Sequence, residues 1–409
     1  MTRLPLLWTG AGFLSLGLLV PAIPGHVTGP LGQGPGMVGA CLAITSVCAL
    51  LARPFAGRLA DRRGRRAAVC AGAALLAAAS AAVLLADSLP LFLTCRAVAG
   101  AGEALMYVGL AAAASDHDRP GQSINRFSVA VNAGLLAGPP LAEAVRSAAG
   151  LPAVWALSAA AAVAVLVAGL FPGSVTAKAF ASGTPSRAET AGDSPSRTRT
   201  ADRTASRAGT ATPLVHRAGL LPGLAYWASV WGYTAFSAFL PLHVAALGGG
   251  GSGTHFLLYG CVLLAVRIGG ERLLSRVHPR GTAAAALLLT AAGLIMLAVW
   301  PTVTGALVAA AVLGTGQALG LPAFLTMAVA GLPAEQRGSA VATTTAFFDL
   351  GFLTAALALG FVAQSFGLAH GFAVAGCVAA LAPLLFLARH RQAHDKSPQG
   401  DDDHDHSRR

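Results

Sequence analysis

The chain has 409 residues, of which 55% are hydrophobic and only 11% charged, against about a quarter charged in a soluble domain, so water is excluded as its main solvent. Its formal net charge is +11, but the basic residues stand in short stretches between long apolar runs. That pattern reads as membrane topology and excludes nucleic acid as a partner.

Each apolar run exceeds the roughly 18 residues that mark a helix able to span hydrocarbon. Backbone polar groups in lipid must be satisfied within the segment, so every run is read as a helix. The first half gives spans at 4–25, 37–59, 67–86, 90–113, 123–145 and 151–171. The first of these is a retained helix rather than a signal peptide. No small-residue cleavage pattern follows it, Pro21 and Pro24 interrupt its end, and further spans come after it. The stretch 172–217 is rich in Ser, Thr, Arg, Gly and Ala and is expected to be a flexible linker. The second half gives spans at 219–246, 254–274, 282–300, 303–330, 339–361 and 368–388. The expected organisation is therefore an N-terminal six-helix bundle (1–171), the linker, a C-terminal six-helix bundle (218–388) and a disordered tail (389–409). The tail ends in Asp401, Asp402, Asp403, His404, Asp405 and His406, read as a solvated segment rather than a metal site. Cys41, Cys48, Cys70, Cys95, Cys261 and Cys377 lie inside apolar runs without metal-ligand spacing and are read as small packing residues.

Placing the N-terminus in the cytoplasm puts Arg58 to Arg66, Arg119, Arg126, the linker, Arg272, Arg276, Arg280, Arg337 and the basic tail on the inside, and leaves Arg146 outside. The positive-inside rule thus predicts a multi-pass protein of the cytoplasmic (inner) membrane with both termini cytoplasmic. The two halves also repeat each other at an offset of 214 to 217 residues. Pro24 and His26 match Pro241 and His243. Arg53, Arg58, Leu59, Arg62 and Arg66 match Arg267, Arg272, Leu273, Arg276 and Arg280. Gly100, Gly102, Glu103 and Ala104 match Gly314, Gly316, Gln317 and Ala318. Gly121, Asn132 and Gly134 match Gly338, Asp349 and Gly351. Parallel repeats of this kind occur in transporters that work by alternating access.

Between the second and third spans stands Gly57-Arg58-Leu59-Ala60-Asp61-Arg62-Arg63-Gly64-Arg65-Arg66. It resembles the signature loop of the major facilitator superfamily, G-x-L-a-D-r-x-G-R-[RK]. The resemblance implies an all-α integral membrane fold of twelve transmembrane helices in two pseudo-symmetric six-helix bundles. It also implies a gating motif of Gly57, Asp61, Arg62, Gly64 and Arg65, in which Asp61 meets the start of the eleventh helix near Gly338. In the fourth span, Arg96 to Ala104 looks like the family's R-x-x-q-G-x-g-a-a motif with Ala99 in place of Gln, and the resemblance links Arg96 to proton transfer. Glu103 is seven residues on, on the same helix face, so the two residues suit a charge pair that is either proton-coupled or structural. In the fifth span, Gly134, Gly138 and Pro139 resemble the antiporter motif G-x-x-x-G-P-x-x-G-G, with Ala142 and Glu143 replacing its last glycines. Close helix packing is the alternative reading.

Asp349 sits inside the eleventh span among phenylalanines, where a lone carboxyl suits proton coupling. Tyr226, Trp227, Trp231, Tyr233 and Phe236 crowd the seventh span and line a cavity or pack a core. Asn132, Tyr226, Trp231 and Gln317 are the substrate-cavity candidates, and His26 and His243 read as interfacial histidines. The expected function is a proton-coupled antiporter that exports a small amphipathic organic compound, a drug or secondary metabolite, as in antibiotic resistance. A proton-coupled nutrient importer and a non-transporting membrane sensor are the alternatives. No paired carboxylate, nucleophile–base cluster or metal-ligand set appears, so an enzyme is not expected. Neither is a cofactor, since no G-x-x-x-x-G-K-[ST] motif occurs. The partners are a small-molecule substrate, protons and the bilayer, with the chain acting as a monomer.

Overall fold

The computed structural model of the chain describes residues 4–115, 120–170, 216–269 and 278–384. Of the expected linker only His216 and Arg217 fall within them, and the tail 389–409 lies outside. The helices are α1 (Leu4–Thr28), α2 (Pro35–Arg63), α3 (Arg65–Ala82, extended by a 3-10 turn at Val83–Leu85) and α4 (Leu89–Ser115). The helical run Pro120–Leu170 is broken at Gly150, with φ 81 and ψ 175, which divides it into α5 (120–149) and α6 (151–170). Then follow α7 (Arg217–Ala246), α8 (Gly253–Gly269), α9 (Pro279–Val299), α10 (Val303–Val329), α11 (Ala334–Phe366) and α12 (Leu368–Leu381). No strand occurs among the described residues. Among the described residues, twelve helical segments follow the order of the twelve expected spans, of which 254–274 and 368–388 extend past the described residues. α2 and α11 run several residues past their expected spans at their basic ends, where charged residues continue the helix.

Eight of the helical runs, with 129–170 counted as one, are long and apolar enough to cross a membrane, and α8 and α12 are apolar but shorter. α7 differs. It carries Ser, Thr, Tyr and Trp side chains and is buried around most of its circumference, so its neighbours rather than lipid form its surroundings.

The chain turns at single glycines. Gly64, Gly150 and Gly367 have φ of 88, 81 and 92, values that a side chain disfavours and glycine adopts freely. Gly150 and Gly367 are 217 positions apart and make the same turn into α6 and α12, so the repeat extends to backbone conformation. It extends to packing as well. A Cβ on Gly100 would meet Thr45 O at 2.2 Å, and one on Gly314 would meet Tyr259 O at 2.6 Å. A Cβ on Gly102 would meet Gly72 O and Leu76 N at 2.8 and 2.9 Å, while one on Gly316 would meet Ala286 O and Thr290 N at 2.8 and 2.9 Å. His26 lies edge-on to Trp155 at 5.7 Å, as His243 does to Phe372 at 5.2 Å. Both histidines are buried in the protein, each beside aromatic rings of its own bundle. Cys261 and Cys377 are exposed rather than packed, because each lies on an outward helix face.

The two bundles, α1–α6 and α7–α12, meet chiefly along two crossings, α2 with α11 and α5 with α8. The repeat relates these crossings to each other. One end of the molecule carries Arg58, Arg62, Arg63, Arg65 and Arg66, the start of α7 and Arg280, and is called the basic side here; the opposite end is the far side.

Candidate functional site

At the far side the bundles pack without room to spare. A Cβ on Gly39 of α2 would stand 2.1 Å from Ala356 O and 2.9 Å from Gly360 Cα of α11, and Gly36 N–H donates to Gln364 Oε1 at 3.2 Å. At the related crossing, Glu143 of α5 is 8% exposed. It accepts from Ser252 Oγ, just ahead of α8, at 2.9 Å and from Arg146 Nη2 at 2.8 Å. Both crossings are thus latched at this end.

Midway along the first crossing, Arg53 Nη2 of α2 donates to Asp349 Oδ1 of α11 at 2.7 Å, with side chains 37% and 15% exposed. Asp349 is therefore not the lone carboxyl expected from its apolar sequence neighbours: an arginine from the other bundle, 296 positions away, meets it. The Arg53 guanidinium also lies over the ring of Tyr107 on α4, 5.7 Å from its centroid. Tyr107 contacts Phe13 and Phe127 in addition, yet 37% of its surface is accessible. Its neighbours thus come from α1, α2 and α5.

Arg96 is 4% exposed, and its Nε has no hydrogen-bond partner among the described residues. The expected charge pair with Glu103 is not closed as an ion pair within 4 Å. Two turns of α4 separate the residues, and the side chains interact only through space. Glu103 instead lies within electrostatic range of Arg96, Asp349 and Arg53 together. Glu103 thus has two arginines and a second carboxyl, from α2, α4 and α11, in electrostatic range across the bundle boundary.

The aromatic residues of α7 fall into two groups. Trp227 and Trp231 both donate their indole N–H to Thr354 Oγ1 of α11, at 3.0 and 3.1 Å. Gln317 of α10 donates to Ser229 O at 3.0 Å and accepts from Ser229 Oγ at 3.3 Å. Trp231 and Gln317 are therefore engaged within the C-terminal bundle. Tyr226 lies against Phe324 and Phe348, with ring centroids 5.9 and 5.7 Å apart. It is in electrostatic range of Tyr107, Asp349 and Arg267. Asn132 is half-buried on α5.

The sequence matches the Major Facilitator Superfamily over residues 6–305 and 223–407, which together span nearly the whole chain. It is 30% identical to an uncharacterized MFS-type transporter of Burkholderia mallei over 378 residues, 90% of this chain and 86% of that one. The chain belongs to the major facilitator superfamily. Its fold agrees with solved transporters of this type. A peptide transporter POT superposes with a TM-score of 0.74 at 14% identity, covering 95% of this chain and 94% of that one. A nucleoside transporter NupG superposes with a TM-score of 0.74 at 10% identity, covering 94% and 98%. The protein is thus a multi-pass membrane transporter and not an enzyme.

In this superfamily member the loop between α2 and α3 turns at Gly64. Asp61 is 72% exposed and bonded to Arg65 of the same loop, Arg62 is exposed, and a Cβ on Gly57 would meet nothing within 4 Å. Among the described residues no ion pair joins Asp61 to α11, and the side chains around Gly338 lie outside them. The antiporter-like motif forms the α1–α5 contact. A Cβ on Gly138 would stand 2.2 Å from the carbonyl carbon of Gly17, and one on Gly134 2.5 Å from Gly10 O, with Pro139 buried beside them. Sequence reasoning missed Arg53, Tyr107, Arg267, Glu143 and Thr354. The signal for Arg53 and Arg267 was present: each is an arginine inside a span, at matched positions of the repeat.

Proposed function

We propose that the transporter is a proton-coupled antiporter of the cytoplasmic membrane that exports a small amphipathic organic compound, with both termini in the cytoplasm. The Arg53–Asp349 ion pair supports this reading most directly, because it joins the two bundles across the space they enclose. Proton arrival at Asp349 removes the charge that Arg53 holds, and the pair loosens. Arg53 then keeps the ring of Tyr107 and the nearby Glu103, both on its own bundle. The bundles are freed to rock, and the far-side latches at Gly39 and Glu143 open as the basic side closes. In that second arrangement the exposed Asp61 is free to meet the start of α11. The glycine-rich α1–α5 contact supports the export direction through its resemblance to the antiporter motif. The single basic far-side loop residue, Arg146, against the many on the basic side supports the orientation.

The test uses everted vesicles loaded with a pH dye, in a host lacking its own exporters. Addition of an exported compound should release lumenal protons, and a protonophore should raise cellular accumulation of that compound. The variant Asp349→Asn should retain binding and lose the proton signal. Proton movement of the opposite sign would replace export by import, and proton release unchanged in Asp349→Asn would remove the coupling role assigned here.

A further inference from the structure

The repeat places Arg267 of α8 where Arg53 stands on α2, and Asn132 of α5 where Asp349 stands on α11. The repeat therefore relates the α2–α11 and α8–α5 crossings, with a carboxylate, Asp349, in one and a neutral amide, Asn132, at the matching position of the other. Among the described residues Arg267 makes no ion pair or hydrogen bond, and its Nε is sealed from solvent without a partner. Its electrostatic neighbours are the phenols of Tyr259 and Tyr226, which face it from α8 and α7. Tyr226 adds the apolar wall of Phe324 and Phe348, and Tyr259 stacks on Phe236 at 4.8 Å. Among the described residues, Arg53 and Arg96 have Glu103 in electrostatic range and Arg53 also holds Asp349, whereas no carboxyl is in range of Arg267. An arginine inside a membrane-spanning helix, without a counter-charge among the described residues, is costly. Its planar fork of donors matches a carboxylate or a related oxyanion.

We infer that Arg267, flanked by Tyr226 and Tyr259, is an anion subsite, and that the transported compound carries a carboxylate or similar acidic group beside its apolar part. The acid bonds the guanidinium, the phenol hydroxyls donate to the same oxygens, and the aromatic rings receive the apolar portion. This inference rests on the transporter reading above and names the substrate class for the same central site. It does not depend on proton coupling or on direction.

The test uses the full-length protein in detergent and matched pairs that differ only in charge: indole-3-acetate with indole-3-acetamide, 2-naphthoate with 2-naphthamide, and octanoate with octanamide. Thermal stabilisation gives the apparent affinity, and counterflow in liposomes gives transport. At least one acid should bind about tenfold or more tighter than its amide, the order expected of a charge-assisted bond in a partly buried site. Arg267→Gln should erase that preference while leaving amide binding and the unliganded melting temperature close to wild type, and Arg267→Lys should restore it in part. Glu271→Gln, altering the carboxyl nearest in sequence, should leave the preference intact. Equal response to acid and amide, a preference that survives in Arg267→Gln, or a wild type blind to every acid would each overturn the subsite. Acid preference and counterflow without any proton signal would refute the coupling reading alone and leave the subsite standing.

Discussion

Replacing Asp349 by Asn removes the charge from the bond that joins α2 to α11 while keeping its shape. A hydrogen bond to a charged group contributes about 1.5–3 kcal/mol. Here the Arg53 side chain is 37% exposed, and screening lowers the figure to about 1–2 kcal/mol. Spent on one arrangement of the bundles and not the other, that difference changes their ratio about 5- to 30-fold. The direction follows from the far side. Because the crossings are tightly packed there, the alternative arrangement must part them and draw the basic ends of α2 and α11 together. Spin labels at Asp61→Cys and Gln336→Cys, in a cysteine-free background, report that distance by pulsed electron paramagnetic resonance. Asp349→Asn and Arg53→Gln should each enlarge the short-distance population, and the double variant should add little to either. Strict additivity of the two single effects, or distance distributions that match the parent, would refute the claim that this bond biases the equilibrium.

The close approach at Gly39 predicts that Gly39→Ala forces the far side apart, since Ala356 O is backbone and cannot yield as a side chain would. A cysteine at Gln364 should then react several-fold faster with a membrane-impermeant thiol reagent added from that side. Gly138→Ala should instead weaken the N-terminal bundle by about 1–3 kcal/mol, as over-packing does, read as a lower melting temperature in detergent. At the second latch, Glu143→Ala should raise far-side reactivity, whereas Glu143→Gln keeps an acceptor for Ser252 and should raise it less. Trp231→Phe gives up one of the two indole bonds to Thr354, a loss of about 0.5–1.5 kcal/mol, and should leave transport nearly unchanged. A large transport defect there would place Trp231 in contact with substrate.

The helices and their order among the described residues were legible because hydrocarbon imposes one simple requirement on every spanning segment, whereas the basic ends of α2 and α11 ran past the apolar runs. Gly64 and the basic run beside it announced the α2–α3 turn, and the repeat was visible in a handful of matched residues. The partners of the charged residues were not legible. Asp349 lies among phenylalanines in sequence, and nothing local indicates that Arg53 reaches it from the other bundle. Conversely, the seven-residue spacing of Arg96 and Glu103 suggested a direct pair. Helical spacing fixes the face a residue shares, not the direction its side chain takes once neighbouring helices crowd it. Trp231 and Gln317 had the composition of cavity residues, but Thr354 and Ser229 engage their polar atoms, and those bonds depend on how α7, α10 and α11 cross. The repeat, taken one step further, would have drawn attention to Arg267, since it matches Arg53 while Asn132 stands at the position that matches Asp349.

The character of α7 bears on how the protein is made. A segment with Ser229, Thr234, Ser237 and several ring hydroxyl or indole groups gains little from dissolving in lipid alone, so its stable residence there depends on company. α11 supplies Thr354 for its tryptophans, and α11 is synthesised more than a hundred residues later. During biogenesis α7 must therefore wait at the insertion machinery or against the finished first bundle until its partner emerges. Lesions in Thr354 or its neighbours would then surface as failed assembly and degradation, before any transport step is reached.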